Sequence, residues 1–196
     1  KEGVLKDIVL MQLVGMRPVL VHGGGPDINS VMEQMRMKVE FVNGQRVTDE
    51  NVMEVVEMVL TGKVNSSIVK YINQNGGSAV GLSGADANLL LAHKQRARIP
   101  TPDGGQQMMD LGLVGEVESV NVDLLNSLLD QGYIPVISPV AVDRKGESLN
   151  VNADLVAGRV AAALQAEKLM LLTDVEGLYR DYKDKSSLIS ILPVRL

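Results

Sequence analysis

The most informative part of the chain is Arg17-Pro18-Val19-Leu20-Val21-His22-Gly23-Gly24-Gly25-Pro26-Asp27-Ile28-Asn29. Its apolar run, entered through a proline, is typical of a strand buried on both faces of a parallel sheet. Three glycines end the strand, and an apolar pattern at helical spacing follows from Ile28. Glycines permit positive φ and close backbone approach, and a helix N-terminus offers unpaired N–H groups, so the stretch predicts an anion site. A plain tight turn explains the glycines about equally well, and neither a Walker A loop nor a G-x-G-x-x-G fingerprint is present.

The composition restricts the class of protein. The chain has 196 residues, of which 45% are hydrophobic, 22% charged and 3% aromatic, with a formal net charge of −5. This balance predicts a soluble acidic α/β globule and argues against a nucleic-acid partner. The chain has no cysteine and 2 histidines, which excludes disulfides and leaves little for a metal site held by the protein. No apolar run approaches membrane-spanning length and no signal peptide opens the chain, so no membrane partner is expected.

Apolar runs alternate with helical patterns along most of the chain. Strands are predicted at 19–21, 79–84, 134–137 and 168–173, with amphipathic helices between them. This βαβ order predicts right-handed crossovers and a mainly parallel open sheet within a three-layer αβα sandwich. We also expect β-hairpin excursions from the sheet. An antiparallel pair is predicted between 89–92 and 111–120, with Lys94 to Met109 as a polar surface loop.

A hairpin is predicted around Asn43-Gly44, because a type I′ turn needs positive φ at both central residues. Arg46 therefore follows the turn closely. An ordinary exposed cation is one interpretation of this residue. A guanidinium held for bidentate recognition of a carboxylate is the other.

Three short polar residues meet at the start of the helix predicted after residue 152. Asn152 is a natural N-cap and Asp154 lies in the first turn, whereas Asn150 stands just before them and is not explained by capping. Further along, a buried strand is predicted to end at Thr173-Asp174 and to open into a glycine-containing loop at the carboxyl edge of the sheet, where α/β proteins bind ligands. A simple turn cap explains that pair about equally well.

Taken in order, several motifs resemble those of the acetylglutamate kinases, within the amino acid kinase family. They are Val21 to Pro26, Asn43-Gly44-Gln45-Arg46-Val47-Thr48, Gly132 to Ile137, Asn150-Val151-Asn152-Ala153-Asp154 and Leu171 to Gly177. Single motifs are weak, but their order and spacing together are highly specific. The resemblance covers nearly the whole chain except Lys94 to Met109. It implies an acetylglutamate-binding and dimerisation lobe at 1–140 and the start of an ATP-binding lobe at 141–196.

The resemblance also implies an activity and residue roles. The activity is phosphoryl transfer from ATP, with Mg²⁺, to the side-chain carboxylate of N-acetyl-L-glutamate in arginine biosynthesis. Gly24 and Gly25 would offer backbone N–H groups to the substrate and the phosphoryl group, and Asp154 would organise catalytic lysines. Arg46 and Asn150 would hold the substrate. The residues bordering ATP would be Thr173, Asp174, Val175, Glu176, Gly177, Leu178 and Tyr179.

Two lysines that the family places near glycines lie outside this chain, so the 196 residues alone are expected to turn over little. Two stretches, Gly62-Lys63-Val64-Asn65 and Asp110 to Val117, resemble those of the arginine-inhibited kinases of cyanobacteria and plastids. That resemblance implies a homodimer or hexamer, feedback inhibition by arginine, association with the nitrogen regulator PII, and a cytoplasmic or chloroplast stromal location. Two alternatives remain: a related kinase for glutamate or carbamate, and an inactive amino-acid-binding regulator of the same fold.

Overall fold

The computed structural model describes residues 2–100, 105–173, 175–181 and 183–191. The first half of the chain is mostly helical. Its elements are α1 Glu2–Leu13, β1 Leu20–Val21, α2 Gly25–Gln34, β2 Phe41–Val42, β3 Gln45–Arg46, α3 Glu50–Glu57 and α4 Asn65–Gln74. A π-helical segment, Met58–Val64, joins α3 to α4 and contains Gly62. The second half alternates strands and helices: β4 Ala79–Ser83, β5 Leu90–Pro100, β6 Gln106–Val120, α5 Val122–Asp130, β7 Ile134–Ser138, β8 Val140–Val142, β9 Ser148–Asn150, α6 Ala153–Ala163, β10 Leu178–Tyr179 and β11 Leu188–Ile189.

A parallel sheet with the strand order β1, β7, β4 lies at the centre of the fold. The central strand β7 is buried along its whole length, which matches its continuous apolar sequence. Pro135 is tolerated there because pairing with β1 begins one residue later, at Leu20 opposite Val136. The preceding residue, Ile134, donates its N–H to Ser78 on the other side. The predicted parallel α/β arrangement is therefore confirmed.

Helices cover both faces of this sheet, as the three-layer prediction requires. Ile134 and Val136 pack with Ile8 and Ile72 of α1 and α4 in one core cluster. Ile137, which has the opposite parity in β7, belongs to the larger cluster on the other face. That cluster draws its side chains from α2, α3, α5 and α6. Alternation along β7 thus places two separate cores on the two faces of the sheet.

The hairpin predicted between 89–92 and 111–120 forms, but it is longer than predicted. β5 and β6 pair from Leu90 opposite Val120 to Pro100 opposite Gln106, so most of the predicted Lys94 to Met109 loop is strand. The prediction was wrong here because cross-strand hydrogen bonds stabilise this segment despite its polar, basic sequence. The tip, 101–104, lies outside the described residues. The base is buried and closes with β8 and β9 into a ring of four strands.

The predicted buried strand at 168–173 is absent. Residues 168–173 are irregular, and the side chains of Leu169 to Leu172 are between 47% and 70% exposed. No described strand pairs with them, and an apolar run becomes a parallel strand only where a neighbour supplies hydrogen bonds and cover. Among the described residues, no helix is long and apolar enough to cross a membrane.

Candidate active site

The glycine loop, defined here as Gly23 to Gly25, connects β1 to α2 as the sequence predicts. Gly24 is the N-cap of α2 and its carbonyl accepts the first helical bond, from the N–H of Ile28 at 2.9 Å. Its φ of −179° is ordinary extended backbone, so positive φ is not what requires glycine here. A Cβ on Gly24 would lie 2.7 Å from Cδ2 of Leu60 and 3.2 Å from Cγ2 of Val64. Close packing against the π-helical segment is therefore the reason for this glycine.

The N–H groups of Gly24 and Gly25 have no acceptor in the described part of the chain. They belong to the first turn of a ten-residue helix, where backbone donors are unpaired and the helix dipole favours an anion. Asp27 in this turn is paired with Lys63 of the π-helical segment at 3.1 Å, so its negative charge is partly offset. The N–H groups of the loop can therefore donate hydrogen bonds to a phosphate or carboxylate oxygen.

A second helix N-terminus reaches the same loop. Asn152 caps α6 by accepting hydrogen bonds from the N–H groups of Asp154 and Leu155 at 2.9 and 3.2 Å, as predicted. A Cβ built on Gly23 would lie 3.7 Å from Cβ of Ala153, which places the start of α6 against the glycine loop. Asp154 is exposed in this first turn, and its carboxylate makes no ion pair with a described residue. It is available to orient a cation.

Arg46 is the most unusual residue of the site. The type I′ turn forms as predicted, with φ of 48° at Asn43 and 77° at Gly44. Arg46, just after that turn, is only 6% exposed, so the interpretation as an ordinary surface cation is wrong. Its guanidinium donates to Oδ1 of Asn29 at 2.6 Å and to the carbonyl of Gly25 at 3.5 Å. It therefore lies beside the glycine loop.

The surroundings of Arg46 lack a compensating charge. The guanidinium stacks on Phe41 with 4.6 Å to the ring centroid and contacts Sδ of Met32 at 3.3 Å. No described carboxylate lies within ion-pairing distance, and burial lowers the pKa of Arg46. A buried cation without an anionic partner is costly, so this arrangement favours the interpretation of Arg46 as a guanidinium held for a carboxylate. Sequence reasoning missed Asn29, which α2 presents to Arg46 from one turn inside the helix.

Asn150 is brought to the same region through Thr48. Its Nδ2 donates to Oγ1 of Thr48 at 3.2 Å, and that hydroxyl donates to the carbonyl of Arg46 at 2.9 Å. Thr48 is fully buried and is the second residue that sequence reasoning missed as part of the site. The observed hydrogen bonds thus link Asn150 of β9 to the strand that carries Arg46.

The described residues of the predicted nucleotide-binding stretch lie in a segment with hydrogen bonds of its own. Thr173, Glu176 and Tyr179 are bonded within their own segment, for example from the hydroxyl of Tyr179 to Oε2 of Glu176 at 3.0 Å. The same stretch, partly or fully exposed, contains Val175, Gly177 and Leu178. Its strand β10, Leu178–Tyr179, forms a short antiparallel ribbon with β11. Asp174 lies outside the described residues. Among the predicted site residues, the structure brings Gly24, Gly25, Arg46 and Asn150 into one region, with the helix start that carries Asp154 against the glycine loop.

Comparison with known proteins shows which family the chain belongs to. A model described as the amino acid kinase family matches residues 2–195. The chain belongs to the amino acid kinase family. It is 54% identical over 192 residues to the acetylglutamate kinase of Pelotomaculum thermopropionicum and 54% identical over 194 residues to that of Moorella thermoacetica. These matches cover 98% and 99% of the chain, which spans about 65% of the length of each relative.

Solved structures agree with the membership of the amino acid kinase family. The crystal structure of smu.665 from Streptococcus mutans has a TM-score of 0.77 and 32% identity, over 90% of this chain and 68% of that one. An N-acetylglutamate synthase from Neisseria gonorrhoeae, complexed with coenzyme A and N-acetyl-glutamate, has a TM-score of 0.73 and 27% identity, over 91% of this chain and 39% of that one. A carbamate kinase from Giardia lamblia, at 15% identity and a TM-score of 0.61 over 94% of this chain and 69% of that one, shares the fold.

Proposed function

We propose that the protein containing this chain transfers the γ-phosphoryl group of ATP to the side-chain carboxylate of N-acetyl-L-glutamate. The observation that carries the proposal is the buried guanidinium of Arg46, which lies beside the glycine loop without a described anionic partner. A carboxylate bound there would supply the missing charge through paired N–H···O bonds. The names of the relatives at 54% identity give the acceptor, since both are acetylglutamate kinases.

In this proposal the two ends of the substrate bind at separate places. Arg46 and Asn150 would hold the α-carboxylate and the acetamido group, because they offer a guanidinium and a neutral amide on strands that Thr48 links. Gly24 and Gly25 would donate their N–H groups to the reacting carboxylate and the phosphoryl oxygens.

The chemical step needs no side-chain nucleophile or base. A carboxylate oxygen of the substrate forms a bond to the γ-phosphorus, and the bond from that phosphorus to the bridging oxygen breaks with its electron pair leaving on ADP. The carboxylate is already ionised near neutral pH, so no proton moves. The residues of the chain contribute by positioning and by stabilising charge on the transferring group.

ATP and Mg²⁺ would be the cofactors. The unpaired N–H groups of the glycine loop, together with the positive end of the dipole of the adjoining α6, fit phosphate oxygens. Mg²⁺ would neutralise phosphate charge, and no described group of three or more acidic or histidine side chains is clustered to hold it independently. Asp154 would orient lysines that approach the phosphates. The stretch from Thr173 to Tyr179 would border the nucleotide.

The proposal extends to the assembly and regulation of the protein. The protein would assemble as a homodimer or hexamer, respond to arginine and associate with PII. The two-lobe division at residue 140 and the cytoplasmic or stromal location complete the proposal.

The test is ATP consumption by the longest natural polypeptide that contains this chain. N-acetylglutamate, glutamate, aspartate and carbamate are supplied separately, and the acyl phosphate is trapped with hydroxylamine. A hydroxamate signal confined to N-acetylglutamate supports the proposal. A signal with another acceptor would replace it by a related kinase, and binding of N-acetylglutamate without turnover would favour the regulator.

A further inference from the structure

His22 occupies the junction between β1 and the glycine loop. Its side chain is largely buried, at 7% exposure. Nδ1 lies 3.0 Å from the carbonyl oxygen of Gly23, and Nε2 lies 3.1 Å from Nδ2 of Asn65. The proposed chemistry does not use this imidazole directly, so its two hydrogen bonds need another explanation.

Asn65 can present only its amide nitrogen to the imidazole. The same Nδ2 donates to the carbonyl of Val136 in the central strand at 2.8 Å. Turning the amide over would place Oδ1 against that carbonyl oxygen, which is repulsive. Gly81 makes room for the observed orientation, because a Cβ there would lie 2.1 Å from Oδ1 of Asn65.

The orientation of Asn65 fixes the tautomer of His22. Nε2 faces an amide donor and must accept, so the single ring proton of the neutral form lies on Nδ1. Nδ1–H then donates to the carbonyl of Gly23. The hydrogen-bonded chain from Val136 through Asn65 and His22 thus ends on the peptide bond between Gly23 and Gly24.

Holding the Gly23 carbonyl also holds the N–H of Gly24. These groups belong to one planar trans peptide and point in opposite directions. The Gly24 N–H therefore points away from the imidazole, and it has no acceptor among the residues described. We infer that His22, oriented by Asn65, is a positioning residue that aims the Gly24 N–H at the transferring phosphoryl group. The inference rests on the proposed function for the identity of that group.

The expected kinetic signature is a change in kcat. A donor aimed at charge that develops during transfer stabilises the transition state more than the bound substrate. Misdirecting the Gly24 N–H should lower kcat by roughly ten- to a hundredfold, below the full loss of one such donor. The KM for N-acetylglutamate should stay nearly constant, since Arg46 and Asn150 are untouched.

Two substitutions separate the two hydrogen bonds of the imidazole. In His22→Asn the side-chain amide nitrogen lies near the position of Nδ1 and can still donate to Gly23. In His22→Gln the amide reaches the position of Nε2, where it can accept from Asn65 but cannot bond Gly23. The inference therefore expects kcat of His22→Asn within about threefold of the unsubstituted protein and the larger loss in His22→Gln. Equal losses in both variants, or a loss confined to KM, would overturn it.

A spectroscopic measurement tests the same inference without catalysis. The chain has 2 histidines, so His93→Gln leaves His22 as the only imidazole signal. Long-range ¹H–¹⁵N correlation should show a protonated Nδ1 and an unprotonated Nε2, and the opposite tautomer would contradict the inference. Absence of turnover with every acceptor would instead refute the proposed function, while the tautomer would still be measured.

Discussion

At the scale of single residues, the guanidinium of Arg46 is preorganised by its neighbours. Its guanidinium is buried next to Phe41 and Met32, and neutral oxygens of Asn29 and Gly25 are its hydrogen-bond acceptors. Neutral acceptors orient the guanidinium without cancelling its charge. Under the proposed function, an incoming carboxylate would meet a cation that is already positioned and partly desolvated.

Arg46→Ala should raise the KM for N-acetylglutamate on the order of 10²- to 10³-fold, because truncating a buried charged partner costs about 2–5 kcal/mol. Arg46→Lys should be intermediate, since an ammonium keeps the charge but not the forked geometry. Steady-state kinetics at saturating ATP measure both. Arg144→Ala is the control, because Arg144 is 80% exposed where it pairs with Glu118. An equal effect of Arg144→Ala would contradict the role assigned to Arg46.

His22 should make the stability of the protein depend on pH. Burial lowers its pKa from the usual 6.5, although the bond to Gly23 acts in the opposite direction. No described charged side chain contacts the imidazole; the acidic residues in the first turns of α2 and α6 are Asp27, which pairs with Lys63, and Asp154. The unfolded chain then takes up a proton near pH 6.5 and the folded chain only at lower pH. The free energy of unfolding should therefore fall as the pH decreases below about 6.5 toward the folded pKa.

Urea unfolding at about pH 7.5 and about pH 5.5 measures this dependence. His22→Asn should remove part of the decrease, because the substituted side chain does not titrate. His93→Gln should leave the decrease in place, since the His93 side chain is 53% exposed beside Glu118. Identical decreases in His22→Asn and the unsubstituted protein would exclude His22 as the source.

At the scale of elements, β6 has an irregular backbone where it pairs with the segment that follows Arg46. Gly112 has a φ of +79° and pairs with Thr48, and the N–H of Leu113 donates to the carbonyl of Thr48 at 2.6 Å. Thr48 in turn links Arg46 to Asn150. The kink at Gly112 therefore lets a long hairpin strand hold two of the proposed substrate-binding residues in one place.

Gly112→Ala should be markedly destabilising, because a Cβ there would lie 2.2 Å from the carbonyl oxygen of Thr48 in addition to the strained φ. Gly146→Ala is a matched control, since Gly146 has a φ of +85° and open space around its Cβ position. We expect Gly112→Ala to lose about 1–3 kcal/mol more unfolding free energy than Gly146→Ala. Chemical denaturation measures the difference. Equal losses would mean that the backbone at Thr48 shifts at little energetic cost to make room for the new Cβ.

At the scale of the whole molecule, the buried core of the described residues ends within α6. The two clusters on the faces of the parallel sheet draw on residues up to Val160. Beyond α6, Leu169, Met170, Leu171 and Leu172 form a contiguous exposed apolar run. Exposed runs of this kind favour association in water.

Leu171→Lys should reduce the binding of a hydrophobic dye by the 196-residue chain and should leave its melting temperature nearly unchanged. The reason is that Leu171 is 52% exposed and lies outside both core clusters. Leu155→Lys is the control, because Leu155 is 50% exposed but stands alone on α6. Unchanged dye fluorescence in Leu171→Lys, or an equal drop in Leu155→Lys, would show that this run is not the dye-binding surface.

The sequence by itself determined the local features of this protein. Asn43-Gly44 gives the predicted turn with two positive φ angles, and Asp49 and Asn152 cap their helices by accepting backbone N–H bonds. Each of these depends on residues a few positions apart, so composition and spacing suffice. The apolar run of β7 and the glycine loop before α2 were predicted correctly for the same reason.

Only the tertiary structure decided which local possibilities were realised. The run at 168–172 is as apolar as β7, yet it lacks a described neighbour and forms no strand. Arg46 is buried because Asn29, 17 residues earlier, and the glycine loop approach it. Asn65 lies 43 residues after His22 and selects its tautomer. Contacts over such separations depend on how the elements pack. The packing energy depends on residues from several segments at once, so no single segment predicts it.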